Sequence, residues 1–193
     1  MHQSPAFSRR LTRSILGLAL TLSTSFASAA ALVPFSASYA ADMKRIPVNG
    51  EALHSLEANA DGTWNLSFTA SMFVAKLIEQ STLRQENDVI QPLSYHYERK
   101  GLGSGKEISQ RFDWNNGLVS GTYKEEAFEL PTEPNLLDKT TYQLALQQDL
   151  MAGKQDMHYR VVDGDEVEDY YFRVVGDDRV TTRVGQFDAV EVE

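Results

Sequence analysis

The chain contains no cysteine. No disulfide can hold the fold and no thiol can act as a nucleophile, so stability has to come from burial. Positive charge is also in short supply, with 18 Lys and Arg against 27 Asp and Glu. An acidic surface repels phosphates, which excludes nucleic acid as a partner and disfavours electrostatic docking on anionic lipid. No apolar run reaches the roughly 20 residues that a membrane-spanning helix needs. No solenoid-like repeat is visible either.

The longest apolar stretch, Ser14 to Phe26, has a different reading. Arg9, Arg10 and Arg13 precede it with no acid among them, and Ala27-Ser28-Ala29 follows with the small residues that signal peptidase reads. This order predicts a secretory signal peptide over residues 1–29, cleaved between Ala29 and Ala30, and a periplasmic protein. Cleavage removes three of the 18 basic residues and no acid, leaving 15 against 27, a net charge of −12. Residues 30–193 suffice for a single β-rich domain, since a chain of that size buries about 70% of its unfolded surface.

What the mature chain has in abundance is alternation. Trp64, Leu66, Phe68, Ala70 and Met72 alternate with Thr63, Asn65, Ser67, Thr69 and Ser71, which places one apolar row on one face of a strand. At Phe73 and Val74 the pattern fails, which predicts either a bulge packed in a core corner or an exposed apolar lip. Further strands are expected over 35–43, 52–58, 77–85, 93–99, 107–114, 118–123, 157–162, 167–175, 180–184 and from Phe187 onward. Pro92 argues against a central-strand position, and Asn116-Gly117 predicts a tight hairpin.

Between 135 and 152 the period changes, with Asn135 as N-cap, Asp138 in the capping-box position and Gly153 closing the C-terminus. Only Lys139, Gln143 and Gln147 form a polar face, which predicts a largely buried helix across the sheet or plugging its end. The fold class is therefore all-β: a mainly antiparallel barrel-like roll or sandwich with one buried α-helix. Val190 and Val192 still alternate with Glu191 and Glu193 at the end of the sequence, which predicts a C-terminally truncated domain.

Several segments carry a family resemblance: "PFSASYAADM", "QPLSYHYER", "QRFDW", "LLDKTTYQLALQQDLMAGK" and "DYYFRVVGDDRVTTRVGQFDAVEVE". Together they resemble the Domain of Unknown Function 3108 family of exported bacterial proteins, over nearly all of the mature chain. The resemblance implies a periplasmic, mainly β fold with no established activity. It supplies no functional motif.

The segments that suggest chemistry do not sustain it. In "RKGLGSGKE" Lys100 stands where a phosphate loop needs glycine and Glu107 where it needs a hydroxyl, so a hairpin loop is expected. His54, His96 and His158 lie on separate strands without metal-ligand spacing and are expected to face solvent. "DGDEVED" lacks the order of a calcium loop and reads as a turn. No Gly-x-Ser-x-Gly elbow occurs. No catalytic residue, metal or cofactor is implied. Trp64, Phe68, Met72, Phe73 and Val74 remain as candidate ligand-binding residues. The first expectation is a non-catalytic carrier of an apolar or amphipathic envelope ligand. The second is an assembly factor that engages another envelope protein through a sheet edge or the acidic surface, and an enzyme ranks third.

Overall fold

A computed structural model describes residues 31–42, 49–87, 89–101, 105–182 and 184–193. The expected signal peptide, with Ala27 and Ala29, lies outside the described residues.

Alternating side chains on strands joined by short turns can pair with their chain neighbours, and the first eight strands do so without a crossover. β1 (Phe35–Asp42), β2 (Asn49–Ala58), β3 (Trp64–Met72), β4 (Ala75–Glu86), β5 (Val89–Lys100), β6 (Lys106–Asp113), β7 (Leu118–Tyr123) and β8 (Glu126–Pro131) form one antiparallel meander in sequence order. A second sheet runs in the order β12-β11-β10-β9, built from β9 (Leu137–Asp138), β10 (Asp156–Asp163), β11 (Glu166–Thr182) and β12 (Gly185–Val192). Helix α1 (Thr141–Met151) links β9 to β10, which run parallel. The chain is thus all-β apart from one short helix.

The core lies between one face of the large sheet and the small sheet with α1. Leu56, Leu66, Leu83 and Ile90 pack against Leu137, Leu144, Met157, Tyr159 and Val161, while Phe112 and Val119 pack against Leu136 and Val162. Leu83, Val119, Leu136, Val161 and Val162 are fully buried. Removing any one of these leucines to Ala is worth about 2–5 kcal/mol.

Several expectations need correction. Phe73 and Val74 form neither a bulge nor a core corner: they are the two-residue turn between β3 and β4, flanked by the pair Met72–Ala75. Pro92 does lie in a central strand, buried. It is tolerated because β6 pairs with β5 only from Ser94 to Arg99, and a register shift against β4 occurs beside it. Asn116-Gly117 closes a four-residue loop from Trp114 to Gly117 rather than a two-residue hairpin, with Gly117 at φ +68°.

β8 was not expected, because the turn before it uses Lys124 and Glu125, both at positive φ, where glycine or asparagine would have signalled it. β11 runs unbroken through Gly176-Asp177-Asp178. Beyond Val174 its only neighbour in the sheet among the described residues is β12, and on this two-stranded ribbon Val180, Val184, Phe187 and Val190 are exposed.

The helix is shorter than expected. Asn135 is in a turn at φ +60°, and α1 begins after Thr140, which makes no side-chain cap. Burial is also less than expected: Thr141 and Leu144 are buried, but Met151 is 71% exposed. Gly153, at φ +79°, ends the helix as foreseen, its N–H donating to the Leu150 carbonyl.

Candidate functional site

The five candidate residues do not come together as one pocket. Trp64 packs against the main core cluster. Phe68 and Met72 are half-buried on the same face, further along β3 towards the turn. Phe73 and Val74 stand at the tip, 90% and 59% exposed. The row therefore grades from core to solvent along one strand. A cavity of about 1230 Å3 lies on the opposite face of the sheet and includes none of the five.

Cross-strand neighbours show what surrounds the outer part of the row. Phe68 faces His54 on β2 and Glu79 on β4, while Ala70 faces Ala52 and Leu77. All are half-buried, and neither core cluster includes Phe68, Ala70, Met72 or Leu77. His54 is not the solvent-facing residue expected from sequence. Its ring sits edge-on between Phe35 at 5.0 Å and Phe68 at 6.0 Å, and burial pushes the imidazole below its ordinary value. His158 is exposed, stacked on Tyr171 at 4.5 Å with Nε2 2.6 Å from Asp169 Oδ1. Among the described residues no group of three or more His, Asp or Glu is placed to hold a metal ion.

Polar residues that the sequence did not single out meet beside this row. The Tyr95 hydroxyl donates to Glu79 Oε1 at 2.7 Å. Burial raises the Glu79 carboxyl above its ordinary value, opposed by that hydrogen bond and by the charge of Lys139. Burial lowers the Lys139 ammonium, but Asp163 Oδ2 at 2.5 Å outweighs it and the net shift is upward. The Tyr170 hydroxyl donates to the same Asp163 oxygen, and the phenol is pushed up to about 12, first by burial and then by this bond.

Asp138 is fully buried. Its Oδ1 accepts from the Thr140 and Thr141 backbone N–H groups at 2.9 and 2.8 Å, and its Oδ2 accepts from the Ser81 hydroxyl at 2.8 Å. Burial raises this carboxyl, and the bonds from Thr141, Thr140 and Ser81 work against the rise. The residue anticipated in a capping box thus does satisfy the helix N-terminus, from outside it and from the interior. It docks α1 onto β4 rather than offering a reactive group to solvent.

No curated protein matches the chain. A crystal structure described as a beta-barrel-like protein of domain of unknown function DUF1849, from Brucella abortus, aligns with 83% of this chain and 79% of that one, at 16% identity and a TM-score of 0.49. Among families, proteins of unknown function DUF3108 match over residues 35–193, from the first residue of β1 to the residue after β12, and the chain belongs to that family.

Proposed function

We propose that the protein is an exported, non-catalytic binding protein of the cell envelope that holds an apolar or amphipathic ligand along the outer part of the β3 row. The supporting observation is that Phe68, Ala70, Met72 and Leu77 form a half-buried apolar strip outside both core clusters, leading to the exposed tip at Phe73 and Val74. Glu79, directly opposite Phe68, gives the strip a polar border, which suits a ligand with one polar end.

Native mass spectrometry of protein taken from its own periplasm is the direct test, paired with uptake of a fluorescent fatty-acid probe by delipidated protein. Bound lipid mass and probe uptake are expected, with uptake weakened in Met72→Lys. Bare protein that takes up no probe would refute the proposal.

A second reading rests on the β11–β12 ribbon. Val180, Val184 and Phe187 are exposed there, and β12 is the edge of its sheet. Such an edge suits docking of another envelope protein by strand addition.

A further inference from the structure

We infer that the face of the large sheet turned away from the core is a binding trough for a neutral, hydroxyl-rich chain, an oligosaccharide. Register partners in an antiparallel sheet share a face, so the pairing itself defines what lies there. One ladder runs straight across the sheet through Ser55, Ser67, Gln80, His96, Ser109 and Thr122, each directly opposite the next. A second runs beside it through Asn65, Thr82, Ser94, Arg111 and Ser120. Both ladders line the cavity of about 1230 Å3, which touches every strand from β2 to β8.

The middle of this face differs from its flank, where the next ladder towards the β3–β4 turn carries Leu53, Thr69, Ile78, Glu98 and Glu107. The chain is 23% charged, yet the first ladder carries no Lys, Arg, Asp or Glu on any of those six strands. Short hydroxyls and amides leave room above the sheet, and each both donates and accepts hydrogen bonds. Some are held in place across strands: Gln80 Nε2 donates to Ser67 Oγ at 3.3 Å, and Thr82 Oγ1 donates to Asn65 Oδ1 at 3.2 Å.

Such a floor offers little to a lipid, which needs contiguous apolar area. A polyanion is disfavoured by Glu57 and Glu129 at the two ends of the second ladder and by the net acidic charge. A neutral ligand bearing many hydroxyls fits both conditions. With strands about 4.8 Å apart, a ladder from β2 to β8 measures close to 30 Å along the sheet, so a short sugar fills only part of it. Affinity should therefore grow with chain length, because each added unit binds from an already tethered neighbour.

The test is a titration of the full chain with neutral glucose or N-acetylglucosamine oligomers of increasing length, read by amide chemical shifts. Shifts at Gln80, His96 and Ser109 are expected, with affinity rising by roughly tenfold or more from dimer to hexamer. Ser109→Trp, which fills the middle of the trough, should abolish the shifts while the melting temperature stays near the parent's. Should that variant fail to fold, Gln80→Ala, at an exposed position, decides the matter by weakening hexamer binding several-fold. Absence of shifts at millimolar hexamer, affinity independent of length, unchanged binding in Gln80→Ala, or shifts confined to Phe68 and Met72 would each overturn the inference.

Discussion

Phe73 shows how a single residue can be at odds with its own backbone. It sits at φ +50° in a two-residue turn, a conformation that costs a bulky residue about 1–2 kcal/mol and that glycine adopts freely. Phe73→Gly should stabilise the protein by up to about 1 kcal/mol, the relief of strain being partly offset by glycine's greater unfolded-state entropy. If the tip contributes to ligand capture, the same change weakens probe uptake. A lower melting temperature would show that the aromatic ring is needed for the turn itself.

Glu79 yields a pH dependence. Its folded value is raised, so its contribution to stability is complete below the ordinary glutamate value and is lost as pH rises through the raised one. Glu79→Gln keeps an acceptor for the Tyr95 hydroxyl but cannot ionise. Relative to this variant, the parent's melting temperature should therefore fall between mildly acidic and neutral pH. Parallel profiles would show that the carboxylate is solvated well enough to ionise without penalty. The apolar row was legible in the sequence because alternation alone specifies a face. The Glu79–Tyr95 and Lys139–Asp163–Tyr170 contacts were not, because their partners lie on different strands and meet only through sheet register and packing.

At the scale of elements, α1 depends on a residue outside it. Asp138→Ala would leave the Thr140 and Thr141 N–H groups without their buried acceptor and the Ser81 hydroxyl with only the Thr140 hydroxyl as partner, at a cost of about 3 kcal/mol. Asp138→Asn should lose less, since its amide oxygen can still accept both backbone bonds. Melting curves of the two variants check this, and equal destabilisation would mean that the charge, not the acceptor geometry, holds the helix start. Most strands were readable, but their ends were not. β8 was hidden by the turn residues Lys124 and Glu125, and the continuity of β11 by Gly176-Asp177-Asp178, which carries the composition of a turn. Local composition proposes a turn, but hydrogen bonding to β12 overrides it. The two polar ladders were also out of reach, since a cross-strand row exists only once the register is known.

At the scale of the whole molecule, the large sheet has a face packed against the core and an outward face crossed by two polar ladders, while the β11–β12 ribbon beyond Val174 exposes Val180, Val184, Phe187 and Val190. Val180→Thr with Phe187→Thr should leave the melting temperature nearly unchanged, within about 0.5 kcal/mol, because both residues are exposed. Hydrophobic-dye binding and concentration-dependent light scattering should fall together. Unchanged scattering would remove the ribbon as an association surface. Alternation with regular turns was enough to give the all-β class. The division into eight and four strands was not legible, because the break between the sheets is made by Leu136 to Asp138 packing inward rather than by any turn signal.

The meander has a kinetic consequence. Among the described residues each of the first eight strands pairs only with its chain neighbours, so the large sheet can assemble by successive hairpins with little loop entropy to overcome, whereas the parallel β9–β10 pair must close across α1. The nucleus should then be in the meander, with the small sheet joining after the rate-limiting barrier. Val161→Ala on β10 would accelerate unfolding and leave the folding rate almost untouched, whereas Leu66→Ala on β3 would also slow folding. Equal effects of the two variants on the folding rate would place both sheets in the transition state.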